Sequence, residues 1–108
     1  MSDIRLIYVT VSSLEEADTI ALAVVQERLA ACANILGPIR SVYHWQGKLE
    51  RSDEVAVILK TQQVSEARLI SRIRELHSYE CPAIVVLPVL GGNPAFLDWV
   101  CTETSSNQ

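Results

Sequence analysis

Several features that would assign a chain to a function class are missing from this sequence. It contains only three cysteines, with no CxxC pair, which argues against a zinc ribbon and against a thioredoxin-type redox site. It has no glycine-rich phosphate-binding loop, no serine-nucleophile arrangement and no paired catalytic carboxylates. We therefore expect a protein that is not an enzyme and whose cysteines are reduced thiols.

Positive charge and long apolar runs are also scarce. The formal net charge is −4 and no run of Lys or Arg stands out, whereas a nucleic-acid-binding surface normally carries a basic stripe. The longest apolar stretch, residues 83–90, is much shorter than the roughly 18 residues that a membrane span requires. The first residues also lack the pattern of a signal peptide. These properties predict a cytoplasmic protein without nucleic-acid or membrane partners.

The hydrophobic pattern that is present predicts one domain over residues 1–108. Runs rich in apolar and β-branched residues predict strands at residues 4–11, 39–45, 49–61 and 83–89. Helical spacing predicts helices at residues 14–29, 65–76 and after 93, with Ser13, Ser65 and Asn93 as N-caps. The polar residues 102–108 are expected to form a frayed tail.

This element order, β-α-β-β-α-β with a short C-terminal helix, predicts an α+β fold of the ferredoxin-like split βαβ type. Both long helices then cover one face of the sheet. The strands carry apolar residues on both of their faces, so the uncovered face would be a large hydrophobic patch, and sheet-to-sheet oligomerisation is the simplest way to cover it. Trp45, near the tip of the long hairpin, is better explained by subunit packing than by ligand stacking.

Short segments along the chain resemble the CutA family of divalent-ion tolerance proteins. The segments are RLAACANI at 28–35, SVYHWQGK at 41–48, LKT at 59–61, HSYECP at 77–82 and FLDW at 96–99. They occur in the family's order and cover nearly the whole chain. The resemblance implies a ferredoxin-like protomer in a tight homotrimer, a fold kinship with the PII signalling proteins, and a role in tolerance of copper and other divalent cations. It implies no enzymatic reaction.

The chain departs from the family pattern at positions that bear on metal binding. Ser78 stands where members usually have proline, and Ala83 where they usually have glutamate. Members argued to bind copper carry a cysteine and a His-His pair, and the matching positions here are Val9, Leu76 and His77. Only His77 is a candidate ligand for copper(II) or another divalent cation. Because a stable site needs about three or four ligands, a copper site would need help from another subunit.

The resemblance places a candidate site for a metal or small ligand in a lateral cleft between subunits. Its residues would be His77, Tyr79, Lys60, Trp45 and Cys32. Each has an alternative: His77 can cap its helix, Tyr79 can be a core residue, Cys32 an inert buried thiol and Lys60 one half of an ion pair.

Three functions stay open on the sequence alone. The first is a trimeric CutA-like protein that acts in divalent-cation, chiefly copper, tolerance by binding or scaffolding. The second is a PII-like regulatory module in which Lys60 helps to bind a small anion or nucleotide between subunits. The third, an enzyme, rests on the presence of His77, Tyr79 and Cys81 in one loop.

Overall fold

A computed structural model describes residues 3–105 of the chain. The elements are β1 (Ile4–Val11), α1 (Leu14–Gln26), β2 (Cys32–Trp45), β3 (Lys48–Gln62), α2 (Glu66–Leu76), β4 (Ile84–Pro88) and α3 (Pro94–Glu103). A 3-10 turn, Gln63–Ser65, leads into α2. The predicted order of four strands, two long helices and a C-terminal helix is confirmed.

The four strands form one antiparallel sheet in the order β2-β3-β1-β4. The central strand β1 pairs with β3 on one edge and with β4 on the other, so that Tyr8 faces Ile58 and Val85 in the register. Sequence neighbours β1 and β2 are therefore not adjacent in the sheet, which is the split arrangement of the ferredoxin-like fold.

The hydrophobic core lies between the sheet and the two long helices. Alternate residues of β1, Ile7, Val9 and Val11, are fully buried there because successive side chains of a strand point to opposite faces. They pack with buried residues of α1, α2 and β3: Ile20, Val24, Leu69, Ile73, Val57 and Leu59. Helical spacing on α1 and α2 supplies these contacts, as the sequence predicts.

The opposite side of the sheet, called here the open face, has no helix over most of its area. Its residues alternate with those of the core and follow the strand register: Leu6, Tyr8, Thr10, Cys32, Asn34, Leu36, Ala56, Ile58, Lys60, Val85 and Leu87. Helix α3 covers only one end, where Val100 packs with Ile4 and Ala31. Most of these residues are apolar, and Val85 and Leu87 are 51% and 45% exposed. The expected hydrophobic patch is therefore present.

The hairpin of β2 and β3 extends beyond the sheet. Strand β1 ends at the pair Val11 and Val55, so residues 39–54, called here the arm, form a ribbon of two strands without a third. Its turn is made by Gln46 and Gly47, both with positive φ (52° and 83°), as a two-residue hairpin of right-handed twist requires. Strand β2 begins earlier than predicted, because residues 32–36 already pair with β3 before a bulge at 37–38.

Two helix starts follow the predicted capping chemistry and one does not. The Oγ of Ser13 accepts the amide of Glu16 at 3.1 Å, and the Oδ1 of Asn93 accepts the amide of Ala95 at 3.2 Å. Ser65 does not cap α2, because it is the last residue of the 3-10 turn and its backbone is already in the right-handed helical region. Its buried Oγ has no hydrogen-bond partner among residues 3–105.

Two helix ends also differ from the sequence-based expectation. Helix α1 stops at Gln26, because Arg28 adopts a left-handed conformation (φ 62°) and its guanidinium bonds to the carbonyl and carboxylate of Glu103. The C-terminal helix continues to Glu103 instead of fraying from residue 102. Thr104 is buried and its Oγ1 donates to the carbonyl of Val100 at 2.8 Å. The rest of the expected tail, residues 106–108, lies outside the described residues.

Replacing Gly37 by alanine is expected to lower the free energy of unfolding by about 1–2 kcal/mol, the usual scale for overpacking a filled site. A Cβ at this position would lie 3.1 to 3.4 Å from the side chain of Val55, which is branched and buried. Urea denaturation measures the change. Gly91→Ala is the control, because nothing lies within 4 Å of its added Cβ. Equal stability of Gly37→Ala and the parent would contradict the prediction.

Candidate functional site

His77 follows the last residue of α2, and its imidazole is fully used by the fold. Its Nε2 lies 2.8 Å from the carbonyl oxygen of Thr10, and its Nδ1 lies 3.0 Å from the amide of Tyr79. A carbonyl only accepts and an amide only donates, so Nε2 carries the proton and Nδ1 is the acceptor. The ring is thus neutral in this arrangement and its side chain is buried, and the Oε2 of Glu16 lies 3.6 Å from Nδ1.

Glu16, in the first turn of α1, holds two distant segments together. Its carboxylate accepts the amide and hydroxyl of Ser12 at 3.0 and 2.6 Å, and the amide and hydroxyl of Ser78 at 2.7 and 3.0 Å. We call these three residues the clamp. Burial alone would raise the pKa of the Glu16 carboxyl, but the donors from Ser12 and Ser78 outweigh it and lower that pKa to about 2. The clamp is therefore charged at neutral pH.

Tyr79 reaches across the end of β1 to a buried carboxylate on β3. Its hydroxyl donates to the Oε2 of Glu54 at 2.7 Å, and Glu54 is only 8% exposed. Burial, with this hydrogen bond and the nearby negative charge, raises the pKa of the Tyr79 hydroxyl well above its usual range. The phenol therefore stays protonated. Its ring also packs against the imidazole of His77, with centroids 4.8 Å apart.

The remaining candidate residues lie elsewhere in the chain. Lys60 is on the open face beside Cys32, its partner in the β2–β3 register, and its Nζ donates to the Oδ1 of Asn34 at 2.6 Å. Trp45 is at the tip of the arm and 55% exposed. Lys60 and Trp45 each lie some six residues along the hairpin from Glu54, or about 20 Å. The five candidate residues thus form two separate pairs, Tyr79 with His77 and Lys60 with Cys32, while Trp45 lies apart, so a common cleft would need residues from different subunits.

The described residues do not fit a copper site built by one chain. Within residues 3–105 no group of three or more His, Cys, Asp or Glu side chains is placed to hold a metal ion. The imidazole of His77 would first have to give up a hydrogen bond, to Thr10 or to Tyr79. Residues 3–105 of a single chain therefore provide no donor set for a resident metal.

Sequence reasoning missed the two carboxylates that organise this region. The spacing of Ser13 and Glu16 did indicate a capping box, but the Glu16 carboxylate bonds to Ser12 and Ser78 instead of returning to the amide of Ser13. Nothing in the sequence signals the pairing of Glu54 with Tyr79, because 25 residues separate them. Such contacts appear only once the fold brings distant segments together.

Comparison with known proteins identifies the family of this fold. Residues 5–103 match the model of the "CutA1 divalent ion tolerance protein" family. The chain belongs to the CutA1 family. It is 42% identical over 100 residues to the divalent-cation tolerance protein CutA of Thermus thermophilus, a match that covers 93% of this chain and 97% of that one. It is 43% identical over 102 residues to the mouse Protein CutA, covering 93% of this chain and 58% of that longer one.

Solved CutA structures share the fold throughout. The crystal structure of CutA from Xylella fastidiosa superposes with a TM-score of 0.94 at 39% identity, and covers 96% of this chain and 100% of that chain. The predicted ferredoxin-like α+β fold and the resemblance to the CutA family are thus confirmed. In residues 3–105 no helix combines the length and apolar character that crossing a membrane would take.

Replacing Glu16 by glutamine is expected to lower the free energy of unfolding at neutral pH by about 2 kcal/mol, since hydrogen bonds to a charged group contribute roughly 1.5–3 kcal/mol. The folded-state pKa lies below the ordinary value of 4.5, so the carboxylate stabilises the fold above that pH. This contribution disappears as the pH falls through about 2. Urea denaturation of parent and variant should show a difference that shrinks across this interval.

Glu15→Gln is the matched control for this substitution. Glu15 lies in the same first turn of α1, so both variants lose one favourable charge at the helix N-terminus. Only Glu16 takes part in the clamp. An equal loss of stability in the two variants would contradict the prediction, because the effect would then belong to the helix dipole.

Proposed function

We propose that this chain acts in divalent-cation tolerance, chiefly of copper, as a cytoplasmic homotrimer that scaffolds or contacts the cation between subunits and catalyses no reaction. The observation that carries the proposal is the apolar open face of the sheet. Family membership supports the link to divalent cations. The assembly, the metal and the absence of catalysis are parts of the proposal, and separate experiments test the assembly, copper binding and the tolerance role.

The open face supports assembly through its composition and exposure. It brings Leu6, Leu36 and Ile58 into one continuous surface with the exposed Val85 and Leu87. Contiguous apolar patches of this kind are rare on proteins that stay monomeric, because apolar area removed from water contributes roughly 25 cal/mol per Å². Closing the sheets of several copies on one another removes this area from water.

The arm supports assembly independently. A ribbon of two strands is at best marginally stable in water unless it packs on another surface. Along the arm, Tyr43 and Trp45 lie on one face, and Val42 and Leu49 on the other, and all four are exposed. Apolar residues on both faces of an extended ribbon favour burial against neighbouring subunits.

Both ring nitrogens of His77 are hydrogen-bonded inside the chain, which favours a cation site between subunits rather than one within a single chain. The side chains of His77, Glu16 and Glu54 are already hydrogen-bonded inside the chain. A cation would therefore need further ligands from a second subunit. This arrangement therefore favours weak cation binding that requires the assembled protein.

A cytoplasmic location is supported by the cysteines. Cys32, Cys81 and Cys101 are all free thiols, which suits a reducing compartment. Relatives named for the chloroplast and the periplasm also exist, so cell fractionation is the measurement that decides the location of this chain.

Val85→Glu is expected to dissociate the assembly without unfolding the protomer. It places a charge on the open face at a residue that is half exposed in one chain. Sedimentation equilibrium should give three times the 12.0 kDa chain mass for the parent and the single chain mass for the variant. Leu22→Glu, an equally polar change at an exposed position of α1, should leave the trimer intact. A parent that sediments as a stable monomer at micromolar concentration would overturn the assembly.

Copper binding is expected to require the assembled protein. Equilibrium dialysis with Cu(II) should show binding to the parent and to Leu22→Glu, and its loss in Val85→Glu, because the ligands come from more than one subunit. His77→Ala should also bind less copper. Equal binding by Val85→Glu would contradict an intersubunit site, and equal binding by His77→Ala would exclude His77 as a ligand.

The tolerance role is tested in cells that lack their own CutA protein. Expression of the parent chain should restore growth at a copper concentration that inhibits the deletion strain, whereas Val85→Glu should not. Restored growth with the dissociated variant would contradict a function that depends on assembly.

A further inference from the structure

The segment between α2 and β4, residues 78–83 and called here the strap, is held in an unusual way. In the described part of the chain, no backbone-to-backbone hydrogen bond reaches any of its residues. Ser78, Tyr79 and Cys81 are exposed, and the segment contains no helix or strand. Segments with few buried contacts open more readily than the strands and helices around them.

Side chains of three other residues supply the strap's hydrogen bonds. The carboxylate of Glu16 accepts the amide and the hydroxyl of Ser78. The Nδ1 of His77 accepts the amide of Tyr79, and the carboxylate of Glu54 accepts the Tyr79 hydroxyl. Glu16 makes two of these four bonds and, through Ser12, also fixes the start of α1.

We propose that the strap opens as a unit while the sheet and the two long helices stay folded, and that Glu16 is the group that keeps it closed. The four hydrogen bonds that hold the strap all involve its first two residues, Ser78 and Tyr79, which lie next to the end of α2. Loss of the bonds to Glu16 leaves Tyr79 attached only through its own amide and hydroxyl. Opening takes place within one chain and needs neither the trimer nor copper.

Opening changes what the chain presents to solvent. It frees the Nδ1 of His77 and uncovers the carboxylate of Glu54, both of which the closed strap occupies. The clamp therefore governs access to an imidazole and a carboxylate that are otherwise buried. Glu16 acts as a positioning residue for Tyr79, which it does not itself contact by a hydrogen bond.

Amide hydrogen exchange followed by mass spectrometry, resolved to peptides, tests the proposal. In Glu16→Gln the peptide that contains the strap should exchange about tenfold faster than in the parent, because two bonds to a charged acceptor are weakened. Peptides from β1 and β3 should keep their parent rates within about twofold, since global unfolding sets the exchange of core strands. Glu15→Gln, in the same helical turn, should leave the strap at its parent rate.

Two results would overturn the proposal. The first is an unchanged strap rate in Glu16→Gln, which would show that Glu16 does not hold it. The second is an equal acceleration of strap and core peptides, which would show that the strap opens only with the whole fold. If Glu16→Gln fails to fold, Ser78→Ala removes one of the bonds from the strap side. It should accelerate the strap peptide alone, and an unchanged rate would be equally decisive against the proposal.

Discussion

Strand β1 is hydrogen-bonded along both edges, to β3 and to β4, and its two faces have different surroundings. Ile7, Val9 and Val11 point into the core beneath α1 and α2, and Leu6 and Tyr8 point to the open face. Because both long helices lie on one side, the sheet cannot cover its other side by itself. Helix α3 covers one end of that other side, and the rest of the open face is left apolar and without a helix.

Local sequence patterns predicted the elements well where the physics is local. Apolar periodicity identified both long helices, and the caps Ser13 and Asn93 were found because their side chains bond to amides two or three residues away. The start of β2 was missed because residues 32–36 have a weak strand pattern and are held there by pairing with β3. The start of the predicted tail was wrong because Thr104 is polar, yet its hydroxyl is satisfied inside the fold by Val100 and Gln62.

The sequence singled out His77 and Tyr79 by residue type, but not the hydrogen bonds that these two residues make. His77 was recognised as either a hydrogen-bonded residue or a ligand, and the structure places both of its nitrogens in hydrogen bonds. Lys60 and Trp45 were grouped with Tyr79 on the family resemblance, as residues of a cleft between subunits, and this grouping stays a prediction. The length of β3 separates them within one chain, since a strand advances about 3.3 Å per residue. Sequence order carries no information about that distance until the register is known.

The clamp explains what the serine at position 78 does, where the family pattern has proline. Proline, which the family pattern leads one to expect there, has no amide hydrogen and no hydroxyl. Serine supplies both donors, and both bond to Glu16. A buried carboxylate is costly unless several donors surround it, and here two serines from segments 66 positions apart provide four hydrogen bonds. The low pKa of Glu16 depends on donors from both serines, and the serine at position 78 also ties this carboxylate to the strap, so a chain with proline there would have to secure the same segment by other contacts.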